Sequence, residues 1–196
     1  MALLKRAIVL LLLVVLGLAA AAQVELPQRL VGERITLFYP PSLVSSEDAR
    51  AFLREQEGAL GWVEGRLGLE YEGRLEITIG SDWFSWYSAA TDRFGRRIIY
   101  IYESYPLRWL NTLQKTPVHE LVHAVTIKSW GPSAPFLMEG LAVALDADYR
   151  GLQSPELVSY GLLRDGGLPF LDIRQEGLIF LDYYPAGSFA HFIIQR

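Results

Sequence analysis

Two of the chain's three histidines stand in the run His119-Glu120-Leu121-Val122-His123. Four positions apart on a helix, their imidazoles fall on one face, a turn from each other. Neutral imidazole nitrogens held in this way can share one zinc ion. Glu120 lies between them in sequence, a carboxylate within reach of a metal-bound water, which is where a general base has to be. Val118, Leu121, Val122, Ala124 and Val125 around them would seat such a helix in a core. Thr116 and Pro117 suit an N-cap and first helical residue just before the ligands. A helix starting instead near Arg108 would have to kink at Pro117.

A zinc site that keeps its fourth position open for water needs a third protein ligand. Downstream, Glu139, Asp146, Asp148 and His191 carry suitable atoms. The longer pattern HExxHxxGxxH is excluded, because Thr126 and Ser129 occupy its glycine and third-histidine places. Glu139 is favoured. It sits at the start of the apolar stretch Pro135-Phe136-Leu137-Met138-Glu139-Gly140-Leu141-Ala142, and the turn-forming SWGPSA at 129–134 folds this stretch back on the first helix. Gly140 and Ala142 are small enough for the second helix to approach the first closely.

HELVHAVT followed by PFLMEGLAVAL resembles the gluzincin peptidases, in particular the compact bacterial peptidase-MA-like family. The likeness runs from about Leu30 onward, through the strands near 74–79 and 97–102 to Leu168-Pro169-Phe170 and Tyr184-Pro185-Ala186-Gly187-Ser188-Phe189, although only the two metal motifs are specific. The resemblance implies a zincin-like α+β fold, zinc held by His119, His123 and Glu139, Glu120 as catalytic base, and a peptide or protein as substrate. It also implies a tyrosine, Tyr183 or Tyr184, as donor to the oxyanion of the tetrahedral intermediate, with His191 as the alternative donor. The strand before the metal helix, Arg97–Tyr102, would by the same analogy be the edge on which an extended peptide lies. Aminopeptidase specificity is not implied, since no Gly-x-Met-Glu-Asn-type loop precedes the motif.

These residues need elements to hold them. Arg34 to Tyr39 alternates polar and apolar residues and stops at Pro40-Pro41, as a strand does. Ser45 or Ser46 offers an N-cap, and Ala49, Phe52, Leu53, Leu60, Val63 and Leu67 recur at helical spacing, so 46–67 reads as an amphipathic helix despite Gly58, Gly61 and Gly65. Arg74–Ile79 and Arg97–Tyr102 read as two further strands. Trp83, Phe84, Trp86 and Tyr87 crowd the stretch 82–87, where they would cover the core or shape a pocket. Helical patterns follow at about 108–128, 136–148, 155–164 and 186–196. A small mixed sheet with one helix, followed by a mainly helical half carrying the metal motifs, is an α+β order. The pattern at 186–196 stops within an apolar helix without a cap, as if the natural helix ran on.

The N-terminus carries Lys5 and Arg6, an apolar run Ala7–Leu18 and small residues Ala19–Ala22, the order of a cleaved signal peptide. An uncleaved membrane anchor is the alternative, but the run is short for a span of about 20 residues. With residues 1–22 removed, a single domain of residues 23–196 remains, exported to the periplasm, cell envelope or medium. Losing two basic residues takes the net charge from −4 to −6, which disfavours nucleic acid as a partner. There are no cysteines, hence neither disulfides nor a lipid-modifiable thiol. Such a domain also gains from a structural metal, so a non-catalytic zinc-binding scaffold is the rival reading. A fourth protein group on the ion, such as Asp146 or His191, would mark that rival.

Overall fold

The structure, a computed structural model, describes residues 26–80, 89–101, 118–151 and 183–194, with the side chains of Ile101, Tyr183 and Tyr184 outside the described set. The fold is mixed α+β; among the described residues it has a five-stranded sheet and four helices. In chain order the elements are β1 (Gln28–Val31), β2 (Ile35–Tyr39), α1 (Ser46–Leu67), β3 (Leu75–Gly80), β4 (Ala89–Thr91), β5 (Arg97–Ile101), α2 (His119–Trp130), α3 (Pro135–Arg150) and α4 (Tyr183–Ile194).

The sheet order is β1-β2-β3-β5-β4. Its centre, β2-β3-β5, is parallel, while β1 and β4 pair antiparallel at the two margins. In register, Leu37 lies beside Ile77 and Ile77 beside Ile98, so one face is continuously apolar. Phe52, Leu60 and Val63 of α1 and Leu121, Val122 and Val125 of α2 complete one core against that face. Each of these large side chains contributes about 1.5–3 kcal/mol on burial. The opposite face carries polar pairs such as Glu76 beside Arg97, which bridge each other at 2.8 Å in solvent.

Helix α1 forms as its pattern predicts. The Ser45 side chain accepts from the Asp48 N–H, Glu47 and Asp48 lie in the first turn, and Gly68 ends the helix in the left-handed conformation at φ 64°. Gly58, Gly61 and Gly65 do not break it, because all three lie on its solvent face.

One expectation is corrected here. Arg97–Tyr102 was expected as the edge strand, but β5 lies inside the sheet and the edge beside it is β4. The intervening turn explains this. Asp92 Oδ1 accepts from the Phe94 and Arg96 N–H groups and Gly95 takes φ 65°, folding Ala89–Thr91 back on β5 as a hairpin.

Several expectations fall outside the described residues: the leader at 1–22, the aromatic stretch 82–87, the start of a helix between 108 and 117, the helix at 155–164, and Leu168-Pro169-Phe170. Among the described residues, no helix is long and apolar enough to cross a membrane.

Candidate metal centre

Helix α2 delivers its histidines from its first two turns. Its N-cap residue, Val118, has no capping side chain of its own. Asp146 of α3 substitutes for one: its Oδ1 accepts from Val118 N at 2.7 Å, and its Oδ2 takes Arg150 Nη1 at 3.2 Å. A carboxylate at that end also complements the helix dipole. Leu121, Val122, Ala124 and Val125 are fully buried, which fixes the rotation of α2 and leaves His119, Glu120 and His123 toward the cleft. Thr126, standing where the longer zinc motif has glycine, returns its hydroxyl to Val122 O at 2.8 Å, and the helix continues to Trp130.

Gly131 then closes α2, its N–H bonded to Ile127 O at 2.9 Å, and Pro135 opens α3 as a first helical residue. Glu139 thereby reaches the two histidines. His119 Nε2 lies 3.0 Å from Glu139 Oε2 and 3.1 Å from His123 Nε2, and His123 Nε2 lies 3.4 Å from Glu139 Oε2. The two rings meet edge to face, centroids 4.7 Å apart.

The reason for the small residue after Glu139 is also corrected. Gly140 does not bring α3 to α2; it brings α4 to α3, for a Cβ there would stand 2.4 Å from Ala186 O. The region of Tyr183 and Tyr184 thus starts a helix packed beside that of Glu139, but both tyrosine side chains lie outside the described residues. His191, further along α4, does not line the cleft around the histidines.

The three donor atoms form a nearly equilateral triangle. Four-coordinate zinc with bonds of about 2.0–2.1 Å separates neighbouring donors by about 3.3 Å, so the observed spacings fit one tetrahedral face without rearrangement. Two imidazole nitrogens and one carboxylate oxygen are also a donor set that zinc accepts. Among the described residues, His119, His123 and Glu139 are the one such group. The other candidates are engaged elsewhere: Asp146 caps α2, and Asp148 pairs with Arg66 across to α1.

Electrostatics bind the group together. Burial pushes the Glu139 carboxyl up, yet hydrogen bonds from His119 and His123 and their charge outweigh it and bring its pKa down to about 2. Burial likewise disfavours a proton on His119, but the hydrogen bond to Glu139 and the charges of Glu120, Glu139 and Asp146 raise its pKa above the ordinary 6.5. His123 is buried, and its Nδ1 has no hydrogen-bond partner among the described residues.

The cleft in front of these groups encloses about 280 Å³. It is lined by Ala89, Ala90 and Thr91 of β4, by His119, Glu120, His123 and Ile127 of α2, and by Met138 and Glu139 of α3. Thr91 was not anticipated. Its Oγ1 lies 2.6 Å from Glu120 Oε2 and 3.0 Å from Glu120 O. A three-residue strand of two alanines and a threonine offers no alternation long enough to read, so no pattern pointed to it.

Comparison with models of protein families, with curated proteins and with solved structures finds no match to this chain.

Proposed function

We propose that this chain is an exported zinc metallopeptidase of the gluzincin type, with a zincin-like fold, that hydrolyses peptide bonds with Glu120 as general base. The observation that carries the reading is the division of labour in the cleft: three donor atoms converge at 3.0–3.4 Å, while Glu120 faces the same space without joining them. His119 Nε2, His123 Nε2 and a Glu139 carboxylate oxygen would hold the ion. Bound zinc supplies Lewis acidity toward a carbonyl and acidifies water. Glu120 takes the proton of the attacking water and passes it to the departing amine. The strand β4 supports the same reading, because Ala89, Ala90 and Thr91 line the cleft and, among the described residues, β4 is the last strand of the sheet on that side, which suits an extended chain laid alongside. Tyr183 or Tyr184 is proposed to donate to the developing oxyanion.

A scaffold that uses zinc only for stability would need a fourth protein ligand to close the site. Among the described residues none joins the three, and Asp146 is held by Val118 and Arg150. The test is digestion of a proteome-derived peptide library with the zinc-loaded chain from Gln23. Cleavage should occur, and Glu120→Gln should keep one zinc per chain while losing at least about a hundredfold in kcat. Peptide cleavage by Glu120→Gln at the normal rate would remove Glu120 from the mechanism, and a chain that binds no zinc would remove the centre altogether.

A further inference from the structure

A general base works only if its carboxylate stays where the proton arrives, and a glutamate in an open cleft has three rotatable bonds with which to leave. Among the described residues, the hydroxyl of Thr91 is the sole hydrogen-bond partner of the Glu120 carboxylate. We propose that Thr91 is the positioning residue of this centre, a hydroxyl on the edge strand that locks Glu120 in the rotamer aimed into the cleft. The proposal rests on the reading of Glu120 as the base.

Three features make the hydroxyl a fixed point. Threonine has one O–H hydrogen and here two acceptors; the shorter contact, 2.6 Å, and the carboxylate's charge assign the hydrogen to Glu120 Oε2. Glu120 O, 3.0 Å away, takes the longer arm of the same hydrogen as a three-centre bond, so the hydroxyl is registered on the backbone of α2 as well as on the side chain. Threonine is also β-branched and stiff at χ1, and it stands on the inner face of the sheet opposite Ile98.

The strand is pinned in turn. At the far end of the same hairpin Gly95 lies so close to α2 that a Cβ would stand 2.4 Å from Ala124 O. Tyr71 donates its hydroxyl to Gly95 O at 2.7 Å, fastening the turn from the other side. Thr91 and Gly95 therefore grip α2 at Glu120 and at Ala124, one turn apart, and the hydroxyl cannot drift from the carboxylate without unseating the hairpin. The three metal-binding atoms take no part in this contact, so removing the hydroxyl leaves the metal centre whole.

The experiment compares Thr91→Val and Thr91→Ser with the wild type, all zinc-loaded. Thr91→Val keeps shape and loses the hydroxyl; Thr91→Ser keeps the hydroxyl. Expected for Thr91→Val is a kcat lowered by about tenfold to a hundredfold, the cost of a misplaced catalytic group, with KM and zinc content unchanged. Thr91→Ser should recover most of that loss, which a merely structural defect would not. Crystal structures of the same proteins give a readout independent of turnover: Glu120 in one rotamer in the wild type and Thr91→Ser, spread over several in Thr91→Val. Should Thr91→Val not fold, Thr91→Ala takes its place. A wild-type kcat in the hydroxyl-free variant, or Glu120 still in its single rotamer there, overturns the proposal. If the wild type cleaves no peptide, the peptidase reading falls, and the crystallographic comparison still decides the role of Thr91.

Discussion

Glu139 and His119 pull each other's protons in opposite directions, and this sets how the centre should respond to pH. Zinc requires a neutral imidazole, yet in the metal-free protein His119 holds its proton to a higher pH than an ordinary histidine. Apparent zinc affinity should therefore fall as pH drops through the raised His119 value, which competition against a chelator across a pH series will measure. The stability of the metal-free protein follows the reverse sense for His119: its contribution is full below about 6.5 and lost as pH rises through the raised value. Glu139 contributes above the ordinary 4.5 and loses its contribution as pH falls toward about 2. Denaturant titrations of the metal-free chain should show this pair contributing most between those two ordinary values, and His119→Ala should flatten the dependence. That His119, His123 and Glu139 would come together was legible, because i, i+4 histidines share one helix face and the turn after them folds the next helix back. The roles of Asp146 and Thr91 were not, since a cap from another helix and a hydroxyl on another strand lie 28 and 29 residues away and leave no local pattern.

Elements differ in how well periodicity declares them. The strands anticipated are the three interior ones; alternation marked β2 and β3 in the sequence, and β3 keeps it in the fold, with Leu75, Ile77 and Ile79 buried on one face. The two missed, β1 and β4, are short margin strands with little buried surface, and the hydrophobic pattern weakens there for that reason. Helix α1 survives three internal glycines because they point to solvent, where no packing is lost. Gly61→Ala should accordingly stabilise the protein by about 0.5–1 kcal/mol, seen as a raised denaturation midpoint, since nothing stands within 4 Å of the added Cβ. Gly95→Ala should do the opposite. It forces a left-handed residue and a clash with Ala124 O at once, a cost of about 1–3 kcal/mol in the same measurement. The Arg34–Glu64 pair joins the β1–β2 turn to α1, with Glu64 also accepting from Tyr71 N. Burial opposes the ionised Glu64, but the Arg34 and Tyr71 hydrogen bonds win and its pKa is lowered. Its contribution is present above the ordinary carboxyl value and disappears as pH falls through the lowered one.

For the molecule as a whole, the core beneath the sheet is built from α1 and α2, and α3 joins it mainly through Ala142 and Leu145. A zinc ion held by His119, His123 and Glu139, as proposed, would add a further tie between α2 and α3. Stripping zinc with a chelator should lower the melting temperature, by the equivalent of about 2.7 kcal/mol when free zinc had been a hundred times its Kd. His123→Ala should show no such difference between the zinc-treated and chelated protein. The α+β character was readable from the order of patterns, whereas which strand forms the margin depends on a turn that only the folded chain displays. The sequence distances within the centre carry a consequence for assembly. His119, His123 and Glu139 lie 4 and 20 residues apart, a short excursion of chain to close. Glu120 depends on a hydroxyl from a hairpin that must first join the sheet. On the proposed reading, the three donors can therefore come together within one local segment, whereas the position of Glu120 depends on the sheet, so zinc binding should tolerate damage to the hairpin better than the placement of Glu120 does.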